Sequence, residues 1–305
     1  MTSATPFARV LVPYDGSDPA RAALKLAIAF GKRGAAIVIG TVVDEAAVIA
    51  EASSAVAYDP SPEMEALDEE GDELIADAAA QCRAAGVEPV TETVHETPVA
   101  GILSIAKSQS CDLIVMGTHA RTGVAHAFLG STTEGVLRWG HLPVLTVRTV
   151  DHVADEPFSA VLVAIDDSEP SDAAAGVAAM LARTANANVI ACGVVETLQI
   201  YENTTDYGFD PAEIVREVKT ELDQHVHATL ERAGLPAGTA VAIVEGDPAE
   251  MIVATAKERN ATLIISGTHG RRGIRRFFLG SVAEDLVRTS ETPVLVVPVV
   301  PKPKN

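Results

Sequence analysis

Basic residues, aromatic side chains, cysteines and long apolar runs are all scarce in this sequence. Its 305 residues include 23 lysines and arginines but 42 acidic residues, and the resulting charge of −19 excludes a general role on nucleic acid or anionic membranes. The longest apolar runs, such as 161–165 and 294–300, are far shorter than the ~20 residues of a membrane span. The sequence does not open with an export signal, so we predict a cytoplasmic protein.

The scarcity of cysteine and of catalytic motifs argues against several enzyme classes. Cys82, Cys111 and Cys192 have neither metal-ligand nor CxxC spacing, which predicts buried thiols in a reducing compartment. The chain contains neither a GxxxxGK(S/T) loop nor a GxGxxG segment after its first strand, so P-loop ATPases and nicotinamide dehydrogenases are disfavoured. No nucleophile or acid stands at a motif spacing from His119 or His269. We therefore predict no catalytic residue and no metal site.

A glycine-rich segment occurs twice, which indicates that the whole chain is a tandem repeat. Residues 117–131 read GTHARTGVAHAFLGS, and residues 267–281 read GTHGRRGIRRFFLGS, 150 positions later. The flanking apolar runs repeat with nearly the same offset. We predict two domains of similar size, 1–150 and 151–305, because one core rarely serves a chain of this length. The acidic segment 149–158 is the predicted linker.

Each half alternates runs of strand length with helical patterns, beginning and ending with a strand. Aliphatic and β-branched runs predict strands that are buried on both faces. The order predicts an α/β fold with one Rossmann-like, doubly wound sheet of five parallel strands per half. Two variable segments, 45–65 and 197–212, are predicted to be surface loops or lids. The apolar closing strands, 143–148 and 293–298, predict a pseudo-dimer of the two halves within one chain, since apolar edges need a partner.

The glycine-rich segment lies where a sheet of this kind holds its ligand. Ligands bind beyond the carboxyl ends of the strands, near the point where strand order reverses, and Asp15 and Gly117 both stand at such ends. The segment then reaches Gly130 and Ser131, where Ser131 and Glu134 have the spacing of a capping box. Helix N-termini expose N–H groups and a positive dipole end, so this arrangement predicts a phosphate cradle. The second half repeats it with Gly280, Ser281 and Glu284.

The repeated pattern Gly-x2-Gly-x9-Gly-Ser resembles the ATP-binding signature of the universal stress protein family. The second half matches it in full, at Gly267, Gly270, Gly280 and Ser281. The first half matches at Gly117, Gly130 and Ser131 but has Ala120 in place of the second glycine, so its motif is degenerate. The resemblance covers about residues 8–149 and 158–299. The chain thus resembles a tandem universal stress protein of the ATP-binding subgroup.

The resemblance implies a role for each matching position. The carboxylates of Asp15 and Asp166 would meet the ribose hydroxyls, and the backbones of Val42 and Val194 would meet the adenine edge. The other implied nucleotide-binding positions surround the nucleoside and the phosphates: Pro13, Met116, Gly117, Gly130, Ser131, Thr132, Gly267, Gly270, Gly280, Ser281 and Val282.

Two arginines extend this set independently of the resemblance. Arg121 and Arg271 follow the strands that lead into the repeated segment, and we predict that they lie near the phosphates. Arg271 opens a basic cluster with Arg272, Arg275 and Arg276, which is conspicuous in so acidic a chain. A phosphate ligand needs such a local basic patch, because the field of the whole protein repels anions.

The function implied is nucleotide binding in a stress response. ATP, AMP or ADP is the predicted ligand, Mg²⁺ accompanies ATP, and occupancy would change the conformation or the partners of the protein. One alternative is a slow ATPase or autophosphorylating enzyme, with Ser131 or Ser281 as the acceptor. Another is a structural assembly protein with one or both sites non-binding. We also predict a homodimer, since tandem members of the family often associate further.

Overall fold

The chain folds into two compact units, residues 1–152 and 153–305. The structure is a computed structural model that describes residues 6–45, 61–118, 129–197, 210–268 and 279–298. Among the described helices, none combines the length and the apolarity that crossing a membrane would require.

The first unit is a parallel sheet with strand order β3-β2-β1-β4-β5 and helices between successive strands. Its strands are β1 (Arg9–Pro13), β2 (Ala36–Val43), β3 (Val90–His95), β4 (Leu113–Gly117) and β5 (Val144–Val147). Its described helices are α1 (Asp18–Gly31), α2 (Ser61–Ala84), α3 (Pro98–Ser108) and α4 (Ser131–Trp139), followed by a short 3₁₀ helix at Val150–His152.

The second unit repeats this topology with strand order β8-β7-β6-β9-β10, again all parallel. Its strands are β6 (Ala160–Ala164), β7 (Asn188–Val195), β8 (Ala240–Glu245), β9 (Leu263–Gly267) and β10 (Val294–Val297). Its described helices are α5 (Glu169–Ala185), α6 (Pro211–Ala233), α7 (Pro248–Glu258) and α8 (Ser281–Thr289).

The central strands are buried along their length rather than on alternate residues. In β1 the side chains of Val10, Leu11 and Val12 have no exposed surface, and Leu162 in β6 is also fully buried. Continuous burial means that helices cover both faces of each sheet, which is the doubly wound arrangement. The α/β fold predicted from the repeat, with its parallel sheets, is therefore confirmed.

Local sequence signals set most helix ends. Ser17 caps α1, and its hydroxyl oxygen accepts a hydrogen bond from the Ala20 N–H at 3.3 Å, with Pro19 in the first turn. Asp210 caps α6 through the Ala212 N–H at 3.0 Å. The glycines that follow α2 and α6 both adopt the left-handed conformation, as the sequence predicts for C-terminal caps: Gly86 and Gly234.

The predicted variable segment 45–65 overlaps the start of α2, which begins at Ser61. Ser61 and Glu63 are exposed and Pro62 suits a first helical turn, so burial does not account for this start. The predicted linker 149–158 includes two buried apolar residues, Val153 and Phe158.

Candidate functional site

Of the predicted site residues, the strand-end pairs meet where the strand order of each sheet reverses: Asp15 with Gly117, and Asp166 with Gly267. From β1 the chain proceeds to β2 and β3 on one side, then returns to β4 on the other side of β1. Leu11 pairs with Ile114 in parallel register, so the carboxyl ends of β1 and β4 share one edge. That edge carries Asp15 and Gly117. In the second unit β6 and β9 pair in the same way, which brings Asp166 and Gly267 to one edge.

The two aspartates hold the turn that leads into the first helix of each unit. Asp15 Oδ1 accepts a hydrogen bond from the Ser17 N–H at 3.1 Å. Asp166 Oδ1 accepts one from the Ser168 N–H at 3.1 Å and another from the Ser168 hydroxyl. Asp15 is exposed and Asp166 is half-buried. Because a carboxylate accepts several hydrogen bonds, holding this turn is compatible with contacting a ligand.

The backbones of Val42 and Val194 face the side on which the first strand of each unit ends. The Tyr14 N–H donates to the Gly40 carbonyl at 2.8 Å, so the backbone N–H and C=O of Gly40 point towards β1. Backbone groups alternate in direction along a strand, and Val42 therefore points the same way, just beyond the last residue of β1. In the second unit the Ile165 N–H donates to the Cys192 carbonyl at 2.9 Å, so Val194 has the same orientation as Val42. Each residue presents a donor and an acceptor there.

The first glycine of each repeated segment is required by packing. A Cβ built on Gly117 would lie 2.7 Å from the carbonyl oxygen of Pro19, in the first turn of α1, and nearer still to its carbonyl carbon. A Cβ on Gly267 would lie 2.7 Å from the carbonyl carbon of Pro170 in α5. These are backbone atoms, which cannot move aside as a flexible side chain can. The glycines thus allow each helix to start directly against the neighbouring strand.

The second element that the two halves share is a helix whose N-cap is glycine. Gly130 caps α4 with φ −62° and ψ 137°, Gly280 caps α8 with φ −68° and ψ 150°, and neither helix has a side-chain capping bond. By contrast, hydroxyl or carboxylate side chains cap α1, α5, α6 and α7. The first-turn N–H groups of α4 and α8, like those of α3 after Thr97, therefore lack the side-chain acceptor that α1, α5, α6 and α7 supply.

The predicted capping box is wrong in both halves. Ser131 and Ser281 are the first helical residues, one position after the cap, and both are exposed. The Glu134 N–H bonds to the Gly130 carbonyl at 2.9 Å, which places Glu134 one residue too far into the helix for a capping box. The helix could begin after Ser131, with Ser131 as its cap, or after Gly130, and the Ser-x-x-Glu spacing does not decide between them. The extended backbone of Gly130 makes Gly130 the cap.

A threonine that the sequence did not single out joins the two ends of the repeated segment in the first unit. Thr133 is buried in the first turn of α4, and its Oγ1 donates to the carbonyl of Gly117 at 3.1 Å. The second unit has Ala283 at this position, and there the Gly280 N–H donates to the Thr268 carbonyl at 2.7 Å. The sequence signal was the difference between Thr133 and Ala283 at corresponding positions.

Tyr14 links the end of β1 to helix α2 in the first unit. Its hydroxyl donates to Asp77 Oδ2 at 3.1 Å, and its carbonyl accepts a hydrogen bond from Thr41 Oγ1 at 3.1 Å. Burial, together with the hydrogen bond to Asp77, raises the pKa of the Tyr14 phenol. The second unit has the apolar Ile165 at this position, so this polar link exists in one half only.

The remaining predicted residues divide between described and undescribed positions. Pro13 ends β1 and is half-buried, while the Met116 side chain in β4 is only 4% exposed and faces the core. Thr132 and Val282 are half-buried in the first turns of α4 and α8. The positions that lie outside the described residues are Ala120, Arg121, Gly270, Arg271 and the rest of the basic cluster, together with His119 and His269.

Neither the cysteines nor any cluster of metal-binding groups adds a reactive centre to the described part of the chain. Burial raises the pKa of each of the three thiols, Cys82, Cys111 and Cys192, to about 11. They are therefore protonated and unreactive at neutral pH. Within the described ranges, no group of three or more histidine, cysteine, aspartate or glutamate residues is placed to hold a metal ion.

Comparison with known proteins matches both halves of the chain to the same family. The sequence profile of the Universal stress protein family matches residues 6–148 and again residues 157–298. A universal stress protein of Mycobacterium tuberculosis strain H37Rv is 30% identical over 208 residues, covering 68% of each chain. A second protein of that name from the same strain is 29% identical over 230 residues, covering 74% of this chain and 75% of its own.

The fold is also that of a solved member of the family. The crystal structure of a universal stress protein from Archaeoglobus fulgidus superposes with a TM-score of 0.69 and 23% identity, covering 96% of this chain and 97% of that one. The two matches to the family profile together span most of the sequence. The chain belongs to the universal stress protein family and carries one family domain in each half.

Proposed function

We propose that each half of this protein binds an adenine nucleotide, ATP or its mono- or diphosphate, between the strand ends and the N-terminus of its last helix. The observation that carries the proposal is the pair of glycine-capped helices at the switch point of each sheet. A helix N-terminus favours anions, and the absence of a cap side chain leaves room for a phosphate group against its N–H groups.

The nucleoside end of the proposed site uses the neighbouring strands. The backbone N–H and C=O of Val42 and Val194 can read the adenine edge, and Asp15 and Asp166 can accept hydrogen bonds from ribose hydroxyls. Arg121, Gly270 and Arg271 belong to the proposed site by their place in the sequence alone, between the strand and the helix. Mg²⁺ would accompany the phosphates of ATP and would offset the acidity of the chain.

In this proposal the protein is a nucleotide-dependent regulator rather than a fast enzyme. Rapid phosphoryl transfer needs a lysine and metal-binding carboxylates around the γ-phosphate. The repeated segments 117–131 and 267–281 contain neither lysine nor acidic residues. Nucleotide occupancy would instead change the conformation or the partners of the chain. Two predictions from the sequence, a homodimer and a cytoplasmic location, belong to this proposal and are tested by sedimentation and by cell fractionation.

The proposal is tested by counting nucleotides and then introducing a charge at each cap. The purified chain is denatured, and the released adenine nucleotide is separated and quantified per mole of chain. We expect one nucleotide per half. Gly130→Asp and Gly280→Asp should each remove one, because a carboxylate would occupy the phosphate position and repel it. Both variants should fold, since the caps already have an extended backbone and aspartate is a preferred N-cap residue.

Asparagine at the same two positions is the matched control. It has the size of aspartate and caps equally well but carries no charge. Calorimetry with ATP and Mg²⁺ should therefore rank affinity in the order glycine, asparagine, aspartate, with at least about a tenfold step for the charge, or ~1.4 kcal/mol. The proposal is wrong if the wild-type chain neither contains nucleotide nor binds added ATP, or if both aspartate variants retain their full content.

A further inference from the structure

In the first half a side-chain hydrogen bond joins the two ends of the glycine-rich segment. In the second half a backbone hydrogen bond joins them. In the first unit the Thr133 hydroxyl donates to the Gly117 carbonyl at 3.1 Å, which joins the start of α4 to the end of β4. In the second unit the Gly280 N–H donates to the Thr268 carbonyl at 2.7 Å, which joins the cap of α8 to the residue after β9. Both bonds span the same loop, by different atoms.

The hydroxyl end of the Thr133 bond is buried, and Gly117 at its other end is half-buried. Thr133 is 1% exposed, so its hydroxyl cannot turn to water if the carbonyl of Gly117 moves away. A buried hydroxyl without a partner is costly, and the bond therefore resists any displacement of α4 relative to β4. In the second unit the corresponding Ala283 is equally buried but has no hydrogen-bonding group.

We propose that Thr133 is the positioning residue of the nucleotide site in the first half. This inference rests on the proposed function, because the object that it positions is the first turn of α4 with its phosphate-binding N–H groups. Electrostatic sites act at full strength only when their donors are held within a fraction of an ångström. The hydroxyl fixes those donors to the strand that carries the other side of the site. The second half has no need of a side chain there.

The test compares variants at Thr133 in a chain with one working site. Gly280→Asp silences the second half, and ATP binding to the first half is then measured by calorimetry. Thr133→Val keeps the shape of the side chain but removes the hydroxyl, and we expect affinity to fall about tenfold. Thr133→Ser retains the hydroxyl and should restore affinity to within about twofold of wild type.

The second half provides the control for a merely structural effect. In a Gly130→Asp background, Thr133→Val should leave the ATP affinity of the second half unchanged. In a Gly280→Asp background, a general loss of packing would lower the affinity of Thr133→Ser, which loses a methyl group, more than that of the isosteric Thr133→Val. Equal affinity of the valine and wild-type chains in the first half would overturn the proposal.

Hydrogen exchange in the ligand-free chain separates this inference from the proposed function. If neither half of the wild type binds ATP, the proposed function has failed, and the positioning of α4 can still be measured. Amides in residues 129–137 should exchange faster in Thr133→Val than in wild type or Thr133→Ser, while those in 279–287 stay unchanged. Exchange in 129–137 that is the same in all three chains would overturn the positioning role.

Discussion

Gly117 and Gly267 show that a single residue can serve packing at a position that the family motif assigns to ligand binding. By resemblance, the family motif would place both beside the ribose and the phosphates of a bound nucleotide. In the structure, the backbone of Pro19 or Pro170 occupies the space that a side chain would need. The two explanations are compatible, because one absent Cβ can admit a helix on one side and a ligand on the other. They differ in what a substitution does to a chain without nucleotide.

Gly117→Ala should lower the free energy of unfolding of the first unit by ~1–3 kcal/mol, because the new Cβ meets backbone atoms of α1 that cannot rotate away. Urea unfolding of the nucleotide-free protein measures this. The single tryptophan, Trp139, lies in α4, so its fluorescence follows the first unit.

Gly176→Ala is the control for the glycine substitution. Gly176 lies inside α5 with no atom within 4 Å of the added Cβ, and alanine there should stabilise the second unit by ~0.5–1 kcal/mol. Circular dichroism follows that change. A Gly117→Ala chain as stable as wild type would show that the close approach of Pro19 relaxes without cost.

At the scale of elements, the two units fill the same gap between a strand and a helix with different pairs of residues. Gly40 in β2 and Cys192 in β7 hold matching positions, each paired with the last residue of the neighbouring strand. A Cβ on Gly40 would lie 2.8 Å from Cδ1 of Ile105 in α3. In the second unit the corresponding residues are the larger Cys192 and the smaller Thr255 of α7, which lies near the Cys192 thiol and donates its hydroxyl to the Met251 carbonyl at 2.7 Å. Compared with the first unit, the second unit has a larger residue on the strand and a smaller residue on the helix.

This exchange predicts a coupled pair of substitutions in the first unit. Gly40→Cys should destabilise by ~1–3 kcal/mol through overpacking, and Ile105→Thr by a similar amount through lost apolar contact and a buried hydroxyl. The double variant should be less destabilised than the sum by at least ~0.5 kcal/mol, because the threonine makes room for the cysteine and can bond with it. A double-mutant cycle in urea measures the coupling. Strict additivity would contradict it.

Element boundaries could be predicted from the sequence wherever the signal is local. The helices Ser131–Trp139 and Ser281–Thr289 begin within one residue of the start that the Gly-Ser steps indicate, because such a signal is read within one element. The capping register could not be predicted, since one spacing fits two alternatives. Thr133 and Tyr14 were missed as contributors for another reason: their partners are 16 and 63 residues away along the chain, and only tertiary packing brings them together.

Part of the candidate site could be predicted from the sequence by the same reasoning. Strand ends and helix starts follow from the alternation of elements, so Asp15, Gly117 and Gly130 were found together with their counterparts in the second half. Asp15 also holds the turn before α1 by accepting a hydrogen bond from the Ser17 N–H. The requirement of Gly117 for helix packing was not evident, because it depends on how closely α1 approaches β4.

At the scale of the whole molecule, the acidic excess is large and unevenly placed. Acidic residues exceed basic ones by 19, so that many carboxylates can have no basic partner of their own. Helix α2 shows the imbalance most clearly, with a single basic residue, Arg83, beside the acids Glu63, Glu65, Asp68, Glu69, Glu70, Asp72, Glu73 and Asp77. Such a charge opposes the compact state through self-repulsion.

Added salt should therefore stabilise the nucleotide-free protein. Raising NaCl from about 0.05 M to about 0.5 M shortens the Debye length well below the size of a domain, and the melting temperature should rise by a few degrees. KCl at equal ionic strength should act alike, since screening does not depend on the identity of the ion. Glu69→Lys with Glu73→Lys reduces the charge from −19 to about −15 and should reduce the response to salt. A melting temperature independent of salt, or an equal response in the double variant, would show that self-repulsion is not what limits stability.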